Sequence, residues 1–195
     1  MNNLKLKRPW SNHVSWDEPI HLQCSVLSTN IFLFLSGHMT YHKNGAFTVH
    51  PMLKKDPDEK RTAKHFGMIA GGTGITPMLQ IIHAALRDEP NSDVTCSLLY
   101  ANQTEDDILV REELEAAVEK FGGRFKLHYT VDRPPQGWKY STGFITKEMI
   151  EKHLPAVSRD GSTQILMCGP PPMIKFACVP NLEALGFKKS DYFIF

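Results

Sequence analysis

The stretch Phe66–Leu79, FGMIAGGTGITPML, constrains this chain more than any other. It reads as a short buried strand, a glycine-rich turn and the start of a helix. Gly71, Gly72 and Gly74 take three side chains out of the turn. Backbone N–H groups can then approach an anion closely, and positive φ is available where the turn needs it. Thr76 suits an N-cap and Pro77 the first helical position. Such a turn presents unpaired N–H groups and the positive end of the helix dipole, a combination that favours phosphate. Glycine clusters also make ordinary tight strand-to-helix turns, so the loop alone leaves both readings open.

Strand and helix patterns alternate from this point on. Phe66–Ala70 is the first strand, and Pro77–Arg87 is a helix with Met78, Ile81, Ile82 and Ala85 on its apolar face. Val94–Tyr100 follows as strand two. Thr104-x-x-Asp107, a variant of the capping box, opens a second helix carrying Ile108, Val110, Leu114 and Val118. Arg124–Val131 is strand three, ending at Asp132, and DRPPQGWKYSTG is a loop. Thr146–Leu154 is a short helix, Gln164–Cys168 strand four, and the Cys-Gly-Pro-Pro-Pro run a rigid turn. Met173–Leu185 is a helix with an irregularity at Pro180, and Tyr192–Phe195 is a fifth strand. This alternation predicts an α/β fold, a doubly wound five-stranded parallel sheet with helices on both faces. The order 3-2-1-4-5 sets strands one and four side by side at the switch point, where ligands bind. The glycine turn and the CGPPP turn then line one cleft.

The upstream part is less regular. Residues 1–35 show no clear period, and IFLFL at 31–35 fits either a buried strand or an exposed apolar liability. Within 36–51, Thr40-Tyr41 and Ala46–Val49 read as a hairpin broken by Lys43-Asn44-Gly45. Residues 52–64, rich in Lys, Asp, Glu and Pro, read as a solvated linker before a domain over 65–195.

Composition narrows the function classes. A net charge of +1 in 195 residues argues neither for nucleic acid nor for an anionic membrane surface. No signal-peptide pattern follows Lys5, Lys7 and Arg8, Asn2 excludes myristoylation, and the apolar run 20–35 is too broken for a transmembrane segment. Cys24, Cys96, Cys168 and Cys178 form no CxxC pair, and the nine histidines form no ligand cluster. Reduced thiols, a cytoplasmic location and no metal site are the expectation.

Two residues stand out within the expected cleft. Cys168 ends a buried strand beside a stiff turn, which suits either a functional thiol or a small buried hydrophobe. Asp132 ends strand three, where a carboxylate can accept hydrogen bonds from an adenosine ribose and repel an added 2′-phosphate; a loop aspartate before prolines is the plainer reading. The Glu105-Asp106-Asp107 cluster reads as charge complementing a helix dipole.

Four segments closely resemble the NADH-binding domain of NADH–cytochrome b5 reductases: GMIAGGTGITPMLQ at 67–80, YANQTEDDILVREELE at 100–115, YTVDRPP at 129–135 and MCGPPPMI at 167–174. Tyr192–Phe195 resembles that family's aromatic C-terminus, and SGHMTYHKNGAFTVHP at 36–51 the end of its flavin domain. The resemblance covers about residues 36–195. It implies a ferredoxin-reductase-type NAD-binding domain preceded by a remnant of an antiparallel, FAD-binding β-barrel. It also implies that Gly71, Gly72, Thr73 and Gly74, with Pro77, cradle the NADH pyrophosphate, that Thr76 reaches toward the flavin, and that Asp132 favours NADH over NADPH. Cys168 becomes the catalytic residue beside the nicotinamide, with Gly169, Pro170, Pro171 and Met173 on the same path and Phe195 among the cofactor-binding residues. The family reaction passes a hydride from NADH to FAD and then single electrons to cytochrome b5.

Residues 1–35 contain neither the Arg-x-Tyr-Ser/Thr-x-x-Ser motif nor the glycine-serine/threonine phosphate motif of the family's flavin domain, and are too few to build its barrel. The chain therefore reads as a truncated or alternatively spliced reductase product. Two functions stand: a cytochrome b5 reductase using NADH and FAD, peripheral to membranes through its partner, or a flavin-less NADH-binding module without turnover of its own.

Overall fold

Residues 39–50 and 57–195 are described by this computed structural model. Segment 1–35, with its IFLFL run and Cys24, the ends of the 36–51 stretch and residues 52–56 of the linker stretch lie outside them. The described part opens with an antiparallel sheet of β1 (Met39–Tyr41), β2 (Ala46–Val49) and β3 (Glu59–Thr62), in that order. Asn44 and Gly45 both take positive φ, 52° and 76°, which gives the hairpin the twist its strands need. Within the stretch read as linker, Glu59–Thr62 pair with β2, Phe47 opposite Arg61. Glu59 and Lys60 face solvent, which is why the composition looks like a loop although the backbone is a strand.

The larger sheet holds six parallel strands: β4 (His65–Gly71), β5 (Thr95–Asn102), β6 (Phe125–Val131), β7 (Ser141–Thr142), β8 (Thr163–Cys168) and β9 (Tyr192–Ile194). Their order is β7-β6-β5-β4-β8-β9. The expected 3-2-1-4-5 arrangement is present, with β7 added at one edge. That strand is two residues long and sits in a loop of prolines and glycines, so no period marked it. β4 and β8 are buried on both faces, as parallel strands covered by helices must be. Their register places Met68 beside Leu166 and Ala70 beside Cys168.

Helix α1 (Ile75–Ile82) packs on β4 and β8, and α2 (Arg111–Phe121) on β6. On the other face α3 (Lys147–His153) lies against β5, β6 and the α5 segment (Val179–Ala184). Ile69, Leu99, Ile165, Met167, Ile150 and Leu182 form the apolar layer between them. Between α4 (Pro171–Met173) and α5 runs a π-helical turn, Ile174–Cys178. It lies just upstream of Pro180, which has no N–H for the carbonyl one turn back, so a wider turn accommodates the ring.

The second helix begins later than its pattern predicts. The Asp107 carboxylate accepts the Thr104 N–H at 2.9 Å and the Thr104 hydroxyl at 2.6 Å. These bonds close a 3-10 turn over Glu105–Asp107, after which Ile108 is extended and Val110 left-handed at φ 50°. Glu105 pairs with Arg111 rather than merely complementing a helix dipole.

The two sheets join at the start of β4. Phe66 meets the rings of Phe47 and Tyr41 edge-on, at centroid distances of 5.8 and 6.0 Å. The Arg124 guanidinium donates to the carbonyls of Ala85, Val94 and Pro90 at 2.8, 3.1 and 3.1 Å, tying the α1–β5 connection to β6. Among the described residues, no helix is long and apolar enough to cross a membrane.

At the β7 edge, His128 stacks on His153 at 3.5 Å and bonds the Ser141 hydroxyl through Nε2 at 2.8 Å. Burial, with His153 and Lys152 nearby, pushes the His128 pKa down from the ordinary histidine value to about 4. The folded ring stays neutral where the unfolded one takes a proton. Its contribution to stability is therefore complete above about pH 6.5 and is lost as pH falls toward about 4. Urea unfolding at a series of pH values is expected to show a slope across this window that His128→Phe reduces.

Candidate functional site

The crossover between β4 and β8 is the switch point of the sheet, because the chain leaves β4 toward β5 on one side and returns as β8 on the other. At its carboxyl end the glycine turn and the CGPPP turn touch. A Cβ added to Gly74 would lie 2.1 Å from the Cys168 carbonyl oxygen, and one on Gly71 2.8 Å from the Met173 sulfur and from Pro170 Cδ. A Cβ on Gly169 would lie 2.5 Å from Met173 Cε. Glycine is needed at these positions because two turns occupy the space of one side chain.

Gly72 serves differently. It alone of the three glycines in the turn has positive φ, +54°, and a Cβ there would meet nothing within 4 Å. It opens the turn outward. The carbonyls of the turn are occupied from behind: Ile75 N–H reaches Gly72 and Thr73, the Thr76 hydroxyl donates to Thr73 at 3.1 Å, and the Tyr100 hydroxyl to Gly72 at 2.8 Å. Burial pushes the Tyr100 pKa up to about 12, so this hydroxyl remains a donor at neutral pH. With its carbonyls held inward, the turn is free to present N–H groups at the head of α1.

The helix start differs from its expected form. A 3-10 turn over Gly72–Gly74 leads into α1 at Ile75, with Gly74 as N-cap. Thr76 is therefore not the cap but lies in the first turn, its hydroxyl bonded back to Thr73. Pro77 is the third helical residue rather than the first, still within the stretch where a missing N–H costs nothing.

Gly71–Gly74, Thr76, Pro77, Cys168, Gly169, Pro170, Pro171 and Met173 thus gather at one end of β4 and β8. Phe195 joins them on the β8 side, its N–H bonded to the Met167 carbonyl at 2.9 Å and its ring against Phe193. Asp132 lies apart, exposed at the end of β6, its N–H donating to the Asn102 carbonyl at 3.2 Å. Burial raises the pKa of the half-buried Cys168, so it is a neutral thiol at pH 7 and not a thiolate nucleophile. Cys96 and Cys178 lie deeper, pushed up to about 12 by burial.

Several residues not singled out from the sequence shape this surface. Tyr100 fastens the glycine turn, and Asn102 stands between that turn and Asp132. Arg111 braces the far side: it bonds Glu115 at 2.8 Å, pairs with Glu105, and lies 5.8 and 6.0 Å from the Tyr129 and Trp138 ring centroids. The Trp138 indole N–H donates to the Ser141 carbonyl at 2.8 Å, closing the loop after Asp132. The only sequence signal for this brace was the i, i+4 spacing of Arg111 and Glu115.

Residues 68–179 match the oxidoreductase NAD-binding domain. The chain belongs to that family. Over 160 residues it is 53% identical to NADH-cytochrome b5 reductase 2 of Xenopus tropicalis, covering 82% of this chain and 51% of the relative. NADH-cytochrome b5 reductase 1 of Homo sapiens is 51% identical over 160 residues, with the same two coverages, 82% and 51%. The chain thus spans about half the length of the curated relatives it matches. The cytochrome b5 reductase domain of Ulva prolifera nitrate reductase superposes with a TM-score of 0.74 at 47% identity, over 82% of this chain and 56% of that one.

The packing of the two turns makes a direct prediction. Gly74→Ala forces a methyl group against the Cys168 carbonyl and is expected to cost about 1–3 kcal/mol of stability, the usual range for overpacking. Urea unfolding measures it, and an unchanged midpoint would mean that the turns do not pack this closely.

Proposed function

We propose that this chain is the nucleotide-holding half of an NADH–cytochrome b5 reductase, working at the cytoplasmic side with cytochrome b5 as electron acceptor. The observation that carries the reading is the close contact of the Gly71–Gly74 turn with the Cys168–Met173 turn at the β4/β8 crossover. The site fits a dinucleotide. Gly72 leaves open space where a side chain would stand, and the 3-10 start of α1 offers N–H groups to the pyrophosphate. When bound, the nicotinamide supplies the hydride.

In this reading, Gly71–Gly74 with Pro77 shape the phosphate cradle. Cys168, with Gly169 to Met173, flanks the nicotinamide as a neutral thiol that packs and orients rather than attacks, with Thr76 and Phe195 at the cradle and the β8 side. Asp132, two strands away, meets the adenosine ribose, where its carboxylate opposes the 2′-phosphate of NADPH.

The described residues do not fit FAD in the same way. The three short antiparallel strands pack at the start of β4, and the glycine turn lies about 20 Å away at its other end. That distance favours a second reading, an NADH-binding module without turnover of its own.

An absorbance spectrum of the chain, taken after incubation with FAD and desalting, decides between them. A flavin band near ~450 nm that NADH bleaches supports reductase turnover by this chain. A colourless protein that binds NADH supports the module, and failure to bind NADH overturns both. Asp132→Ala is expected to lower the preference for NADH over NADPH in binding titrations about tenfold, the scale of one close like-charge contact near a surface.

A further inference from the structure

The turn of the β1–β2 hairpin holds a reactive pair of residues. The Ala46 N–H donates to the Lys43 carbonyl at 3.0 Å, which leaves Asn44 and Gly45 at the corner. Asn44 is exposed and left-handed at φ 52°, and Gly45 is buried at φ 76°. Only glycine fits the second place, because a Cβ there would lie 1.8 Å from the Ala63 carbonyl oxygen. Of all the asparagines in the chain, Asn44 is the one followed by glycine. With no side chain beside it, the Gly45 nitrogen can attack the Asn44 side-chain carbonyl carbon. That nitrogen loses its proton to solvent, a C–N bond closes a five-membered succinimide, and ammonia leaves. Water then opens the ring at either carbonyl, giving aspartate or isoaspartate.

The fold holds both peptide groups of this pair. The Gly45 N–H donates to the Tyr41 hydroxyl oxygen at 3.1 Å, and the Asn44 N–H to the Glu89 carboxylate at 2.6 Å. Tyr41 in turn hydrogen-bonds Glu89, so the contacts close a ring. Burial pushes the Tyr41 pKa up to about 12, and the hydroxyl is no base for the Gly45 proton at neutral pH. We propose that Asn44 is a self-modification site, deamidated at a rate that the Tyr41 hydroxyl sets by holding the Gly45 N–H. Conversion adds a carboxylate beside that of Glu89, and like charges this close repel. Isoaspartate also lengthens the backbone of the turn, whose Gly45 carbonyl accepts the Ala63 N–H at 2.9 Å. The product therefore loosens the hairpin from the segment that leads into β4.

Ageing the whole chain in mildly alkaline buffer, followed by peptide mapping in a mass spectrometer, measures conversion at Asn44 against Asn91, Asn102 and Asn181 in the same digest. Asn44 is expected to convert ahead of the others. Tyr41→Phe keeps the ring that packs on Phe66 and removes the hydroxyl. It is expected to speed conversion at Asn44 about fivefold, the worth of one net hydrogen bond, with the other three rates within about twofold. Glu89→Gln weakens the same ring of bonds and is expected to speed it less. It decides the matter by the same comparison if the phenylalanine variant does not fold. An unchanged or slower rate at Asn44 in Tyr41→Phe overturns the gate. So does equal acceleration at all four asparagines, which would mark global unfolding as the route. If Asn44 converts no sooner than the other three, in wild type and variants alike, the site itself is overturned.

Discussion

A methyl group on Gly74 would sit 2.1 Å from the Cys168 carbonyl, and much of the molecule follows from keeping that space clear. Strands β4 and β8 come from distant parts of the sequence, yet their carboxyl ends must meet closely enough for one turn to rest on the other. The parallel register, Ala70 beside Cys168, carries the two turns to the same level. The apolar layers on both faces then fix the strands, since a slip of one residue would exchange every side chain of β4 between two differently packed layers. Packing deep in the sheet thereby sets the geometry of a turn at its edge.

Polar groups do the finer positioning, each anchored to something rigid. The Tyr100 hydroxyl, raised far above neutral pH by burial, holds the Gly72 carbonyl back from the cleft. Arg111 brings the first residue of α2, the 3-10 turn before it and the aromatic loop after Asp132 into one cluster. Hydrogen bonds donated to the Glu115 and Glu105 carboxylates hold its guanidinium pKa above the ordinary value. An exposed ion pair alone is worth little, but this one is half-buried, shared between two carboxylates and set beside two aromatic rings. Such a brace keeps the Asp132 end of the surface at a fixed distance from the glycine turn.

The order of the central strands and the meeting of the two turns were legible in the sequence because both rest on strong local signals: continuous apolar runs, glycines and prolines. Details that depend on tertiary contacts were not. Thr104 and Asp107 have the spacing of a helix cap, yet their bonds close only a 3-10 turn, since buried Ile108 must be extended to enter the core. Thr76 looks like an N-cap, but the glycines already wind into a 3-10 turn and start the helix two residues sooner. Glu59–Thr62 is charged and reads as linker, because a strand at the edge of a small sheet needs no apolar face. The hold of the Tyr100 hydroxyl on the Gly72 carbonyl gave no signal at all, for a tyrosine in a buried strand is ordinary until the turn beside it is in place.

Stability and the shaping of the cleft divide along this sheet. Within β4 and β8 every buried group is apolar or paired, as the closest packing demands. The polar contact that shapes the glycine turn comes from the next strand, where the Tyr100 hydroxyl holds the Gly72 carbonyl at 2.8 Å. The apolar strands can be read from periodicity, whereas such a contact shows only once β4 and β5 are paired.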